Sequence, residues 1–271
     1  MTEGAGRLRF RDEFRDFWHF VKRPMFTPRL PNRAAINGWW EDWFPSLPLW
    51  RLLQWAFCLW MVNLFFLGPI AIAAASLGGA DHRFDINNIP WLQALIWAPI
   101  VEELVFRYGL RHIAQALWVV PVAAVALVFG PNWATVVLVA AIVLMCWLPY
   151  LRGVSLQPGT SVSGRFSRLQ ACFRQPLAWH RRRRYQQWFP WVFHFSALLF
   201  AAMHLHNFSM HHTPYWLMPL LVLPQWFTGL VLGWLRVRRG IGASMLLHGL
   251  FNGGPLLVVW IALHAMPQMM T

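Results

Sequence analysis

The sequence predicts an all-α fold, a polytopic transmembrane helical bundle of about seven spans. Three observations carry that expectation. Hydrophobic residues make up 58% of the 271-residue chain and charged residues 12%, with a mean hydropathy of +0.42, a balance outside that of soluble domains. The apolar residues gather in runs close to the roughly 20 needed to cross a bilayer as a helix. The basic residues behind the net charge of +13 lie between those runs, where they orient a membrane protein; no nucleic-acid partner is expected.

Two regions follow. Residues 1–49 read as a cytoplasmic amphipathic leader and 50–271 as a transmembrane domain with a basic cytoplasmic loop at 152–187. The leader alternates charges and aromatics where a cleavable signal would need an apolar core. Within it Phe10, Phe14, Phe17, Trp18 and Val21 recur at helical spacing, with Arg9, Arg11, Arg15 and Lys22 between them. Such a helix suits an anionic membrane surface or the protein's own cytoplasmic face.

Apolar spans are expected near 50–76, 87–106, 114–129, 133–150, 188–205, 215–235 and 241–263. Arginines cluster before the first span, after the second (Arg107, Arg111), between the fourth and fifth (Arg152, Arg165, Arg168, Arg174 and Arg181 to Arg184) and after the sixth (Arg236, Arg238, Arg239). The loops at 77–86, 130–132 and 206–214 are poor in Arg and Lys. This alternation predicts a cytoplasmic N-terminus, and the basic loop is expected to touch acidic lipid headgroups. Cys58, Cys146 and Cys172 have no ligand or redox spacing and are assigned to packing.

The chemistry sits in the polar residues of the spans: Glu102, Glu103 and Arg107 in the second, His194 and His204 in the fifth, Ser244, His248 and Asn252 in the seventh. An ionised carboxylate in apolar surroundings needs a partner or a function. Glu103 and Arg107 are four apart on a helix, so an ion pair between them supports one carboxylate. Glu102 is left for another role. Ser244, His248 and Asn252 line one stripe of the last span, which implies a polar cavity. His206, His211 and His212 read as loop histidines, the alternative being a metal held by them together with His204.

EELVFR, FAAMH (Phe200 and His204) and HGLFN (His248 and Asn252), in that order and each in an apolar segment, resemble the CPBP family. That family comprises type II CAAX prenyl endopeptidases and bacteriocin-processing or immunity (Abi) proteins, and it uses an intramembrane glutamate. The resemblance covers roughly residues 90–265, with a longer stretch between the first two motifs than is usual. It implies an intramembrane glutamic endopeptidase acting on a membrane-associated protein or peptide in a membrane, the bacterial inner membrane being the favoured one.

On that reading Glu102 is the general base, His204 orients the water, His248 and Asn252 stabilise the oxyanion, and Glu103 and Arg107 support them without a cofactor. An alternative makes Glu102, His204 and His248 ligands to zinc. Two other classes stay open: a non-catalytic immunity or adaptor protein on the same scaffold, and a transporter relaying protons through the same groups.

Overall fold

In the computed structural model the described residues are 9–26, 40–44, 47–85, 88–151 and 179–265. Arg152, Arg165, Arg168, Arg174, Cys172 and much of the leader lie outside them. Each of the seven apolar runs is helical. Helix α1 is Phe10–Lys22, α2 Leu49–Gly78, α3 Ala98–Phe106, α4 Ile113–Phe129, α5 Trp133–Leu151, α6 Trp179–Met203, α7 Leu223–Arg238 and α8 Ile241–Ala265.

Among the described residues, three helices are long and apolar enough to cross a bilayer: α2, α6 with its 3-10 extension, and α8. A fourth qualifies only as a pair, Tyr215–Leu221 with α7, bent by 49°. Pro224, in the first turn of α7, has no N–H for the carbonyl four residues earlier, and the helix breaks there. Helix α6 begins at Trp179, so Arg181 to Arg184 occupy its first turns rather than a loop reaching residue 187. No Gly or Pro falls between Trp179 and Phe189, and Arg and Gln are good helix formers.

Helix α7 is the centre of the bundle, buried continuously from Thr228 to Val237. A Cβ added at Gly229 would meet Phe200 at 3.1 Å and one at Gly233 would meet Phe193 at 2.9 Å, so α6 lies directly on the α7 backbone. Gly240, at φ 122°, supplies the left-handed turn that folds α8 back along α7.

Of the two placements considered for α1, packing on the protein is observed. Phe17 and Phe20 are buried, edge-on to Trp55, Trp234 and Phe193. Asp16 accepts from Trp234 Nε1 at 2.8 Å and pairs with Arg238, while Glu13 accepts from Trp55 Nε1 at 3.2 Å and pairs with Arg239. Phe14 and Trp18 face outward. A second N-terminal anchor is the helical turn Trp40–Trp43, whose buried Asp42 takes both oxygens to Arg236 Nη1, at 2.7 and 2.8 Å, and one to His112 at 3.2 Å. Arg236 Nε also donates to the Arg107 carbonyl, at 3.2 Å, so this clamp reaches the end of α3.

The Arg-poor segments expected as plain loops contain a small antiparallel ribbon. Strand β1 (Ala80–His82) pairs with β2 (Phe208–Met210) in the register Asp81 to Ser209. Arg83 N donates to the Asn207 carbonyl at 2.8 Å and continues the ladder.

Candidate active site

Adjacent residues on a helix point about 100° apart, so Glu102 and Glu103 face different surroundings. Glu103 is fully buried. Its Oε1 accepts from Arg107 Nη1 at 2.8 Å and from His248 Nδ1 at 3.1 Å, and its Oε2 accepts from the Ser244 hydroxyl. Three donors around one carboxylate are what a charge in a low-dielectric interior requires. Helix α8 is thereby fastened to α3 through two of its polar residues, Ser244 and His248.

Phe200, in α6, ties the other elements to this pair. The Arg107 guanidinium lies 3.8 Å from its ring centroid, a cation–π contact, and the rings of Phe106, His204 and His248 stand edge-on at 5.7, 4.7 and 5.7 Å. Its carbonyl accepts from His204 Nδ1 at 2.8 Å. A carbonyl oxygen only accepts, so the proton of a neutral His204 sits on Nδ1 and the lone pair of Nε2 stays available.

The structure brings Glu102, His204, His248 and Asn252 to the wall of one cavity of about 460 Å³. Glu102 Oε2 is buried without a hydrogen-bond partner among the described residues and lies 3.7 Å from His248 Nε2. Asn252 Nδ2 donates to the Ala94 carbonyl at 3.0 Å. Glu103 and Arg107 do not line the cavity; they lie behind it. His194 lies elsewhere on α6, against the ring of Phe193.

Three polar residues of this wall escaped sequence reasoning: Gln93, Gln225 and Thr228. Each is polar within an apolar run, the same signal that selected Glu102 and His204, and would have been found by applying it evenly. Gln225 Oε1 is buried with no hydrogen-bond partner among the described residues. The ribbon adds His82, Phe84 and Asn207 to the rim, which no periodicity in the sequence announces. Burial pushes the His82 imidazole below its ordinary pKa, so it is neutral at pH 7.

A metal was tested against the donors. Among the described residues no three His, Cys, Asp or Glu side chains are grouped to hold one, the cluster expected from His204, His206, His211 and His212 included. Glu102, His204 and His248 line one cavity wall, but among the described residues they do not form a group that could hold a metal.

Residues 171–254 match the family model described as type II CAAX prenyl endopeptidase Rce1-like. The matched stretch contains Phe200 and His204 and also His248 and Asn252; it does not extend to Glu102, Glu103 or Arg107. No curated protein and no solved structure matches the chain.

Proposed function

With this match supporting membership of the CPBP family, we propose that the chain is an intramembrane endopeptidase that hydrolyses a peptide bond of a membrane-associated protein or peptide, with Glu102 as the base. The observation that carries the proposal is the convergence of Glu102, His204, His248 and Asn252, from three helices, on one cavity. Glu102 has an unengaged carboxylate oxygen and His204 an unengaged ring nitrogen, so a water between them has an acceptor for each of its protons.

As the water oxygen bonds to the substrate carbonyl carbon, its proton passes to Glu102. The carbonyl oxygen becomes an oxyanion, which Asn252 and a protonated His248 meet as donors. Glu103 supports that ring form, because its carboxylate receives Nδ1–H and faces the imidazolium while Nε2–H turns to the oxyanion. Arg107 balances the second carboxylate. When the C–N bond breaks, the proton on Glu102 goes to the leaving amine, and the carboxylate is restored.

The clustered arginines of the sequence support a cytoplasmic N-terminus, with the 152–187 segment on the same side as acidic headgroups. The test of the function is Glu102→Gln, which keeps size and hydrogen bonding but removes the basic oxygen. Cleavage of a quenched fluorescent peptide carrying a farnesylated cysteine is expected to fall by roughly a hundredfold or more. A variant within a few-fold of the parent refutes the assignment.

A further inference from the structure

The helix that carries Glu102 departs from α geometry just before Pro99, and Asn252 attaches at that departure. Pro99 has no N–H, and its ring excludes the carbonyl four residues back, that of Leu95. The helix widens there into a π turn, Gln93–Trp97, in which Ala98 N–H reaches back five residues to the Gln93 carbonyl. In the same count the next carbonyl, Ala94, falls to residue 99, which has nothing to donate. The Asn252 side chain donates to it, at 3.0 Å.

We propose that Pro99 is a positioning residue for Asn252: by leaving the Ala94 carbonyl without a backbone donor, it holds one N–H of the Asn252 amide and leaves the other for the cavity. The inference rests on the oxyanion reading of Asn252. An acceptor at Ala94 fixes the amide, because only Nδ2 and not Oδ1 can face a carbonyl. One N–H is thereby held and the second is unspent, on a residue that lines the cavity.

Helix α8 comes near enough because of two glycines that share the Asn252 face. A Cβ at Gly249 would stand 2.9 Å from the Leu95 carbonyl oxygen, and one at Gly253 would stand 2.7 Å from the Leu95 side chain. Helix α2 supplies a comparison within the molecule. It has its own π turn, Asn63–Leu67, closed by Gly68 N–H on the Asn63 carbonyl and followed by Pro69. The corresponding residue there, Leu64, is exposed, and among the described residues no side chain donates to its carbonyl. A π turn before a proline therefore stands without an asparagine, and capture by Asn252 is particular to the site.

The test compares Pro99→Ala, Gly249→Ala, Asn252→Ala and the double variant Pro99→Ala/Asn252→Ala. In protein labelled with ¹⁵N-asparagine, the Asn252 side-chain amide is identified by its loss in Asn252→Ala. Its two protons are expected at well-separated shifts in the parent, one of them bonded, and to move toward those of a free amide in Pro99→Ala and Gly249→Ala. With the farnesylated peptide, Pro99→Ala is expected to lower turnover by about tenfold or more at nearly constant KM, yet to cost less than about twofold once Asn252 is already alanine. An amide signal unmoved in both variants, or losses that multiply in the double variant, overturns the proposal. If the parent does not cleave the peptide, that peptide is not a substrate of this chain, and the amide shifts alone decide the positioning role.

Discussion

Glu103→Gln removes one charge and almost no volume from the most heavily bonded carboxylate of the site, so its effect isolates the ion pair. Arg107 then keeps a guanidinium that is fully buried and has lost its anion. Its Nη2 already has no hydrogen-bond partner among the described residues, so no second acceptor stands ready. Breaking a buried pair from one side costs about 3–5 kcal/mol, because a charge is stranded. If that cost appears in the unfolding barrier, thermal inactivation in detergent speeds up by about a hundredfold or more. The double variant Glu103→Gln/Arg107→Met removes both charges and is expected to regain most of the lost stability while remaining inactive, since His248 has lost its partner. Glu102→Gln serves as the control, because the oxygen it alters has no hydrogen bond to lose. The assay is residual folded protein by size-exclusion chromatography after heating, read as a half-life. Equal half-lives for Glu103→Gln and Glu102→Gln refute the reasoning, as does a double variant less stable than Glu103→Gln alone.

Three further outcomes are expected. Chelator treatment followed by dialysis is expected to leave cleavage of the farnesylated peptide unchanged, because no metal-ligand group is assembled among the described residues; activity that disappears and returns only with zinc would restore the metal reading. In a chain freed of native cysteines, Ser209→Cys reacts with an impermeant thiol reagent from outside intact cells while Ser163→Cys reacts only after the inner face is opened; labelling of Ser163→Cys from outside reverses the orientation. Phe17→Asp places a charge among Trp55, Trp234 and Phe227, and is expected to detach α1 and expose residues 10–22 to proteolysis; an unchanged digestion pattern would show that α1 does not depend on this contact.

The site was legible where chemistry conflicts with its surroundings. Glu102, His204, His248 and Asn252 stand out because a polar group in an apolar run has few structural excuses, and helical spacing alone pairs Glu103 with Arg107. What spacing cannot supply is the partner across helices. That Ser244 serves Glu103, or that the His248 ring is turned by Glu103 rather than left to the cavity, depends on how α8 lies on α3, and that contact is set by glycines whose message is only an absence of side chain. The ribbon was invisible for a different reason: strands of three residues are too short for an alternating pattern. The stripe of Phe10, Phe14, Phe17 and Val21 on α1 is the same whether it meets lipid or Trp55, so spacing alone does not choose between them.

The clamp between Asp42 and Arg236 has a consequence for the order in which the molecule is made. Its two halves lie 194 residues apart, and chains emerge from the ribosome N-terminus first. Asp42 therefore exists long before the arginine it neutralises, and α7 enters the bundle as the helix with the most buried surface and a cation near its end. Until the early segment closes over it, Arg236 has no anion and the hairpin of α7 and α8 has no seat. The N-terminal segment thus behaves during biogenesis as a built-in chaperone, synthesised in advance for the last two helices. A chain started beyond it would insert His248 and Asn252 into the membrane without the contact that seats α7 and α8.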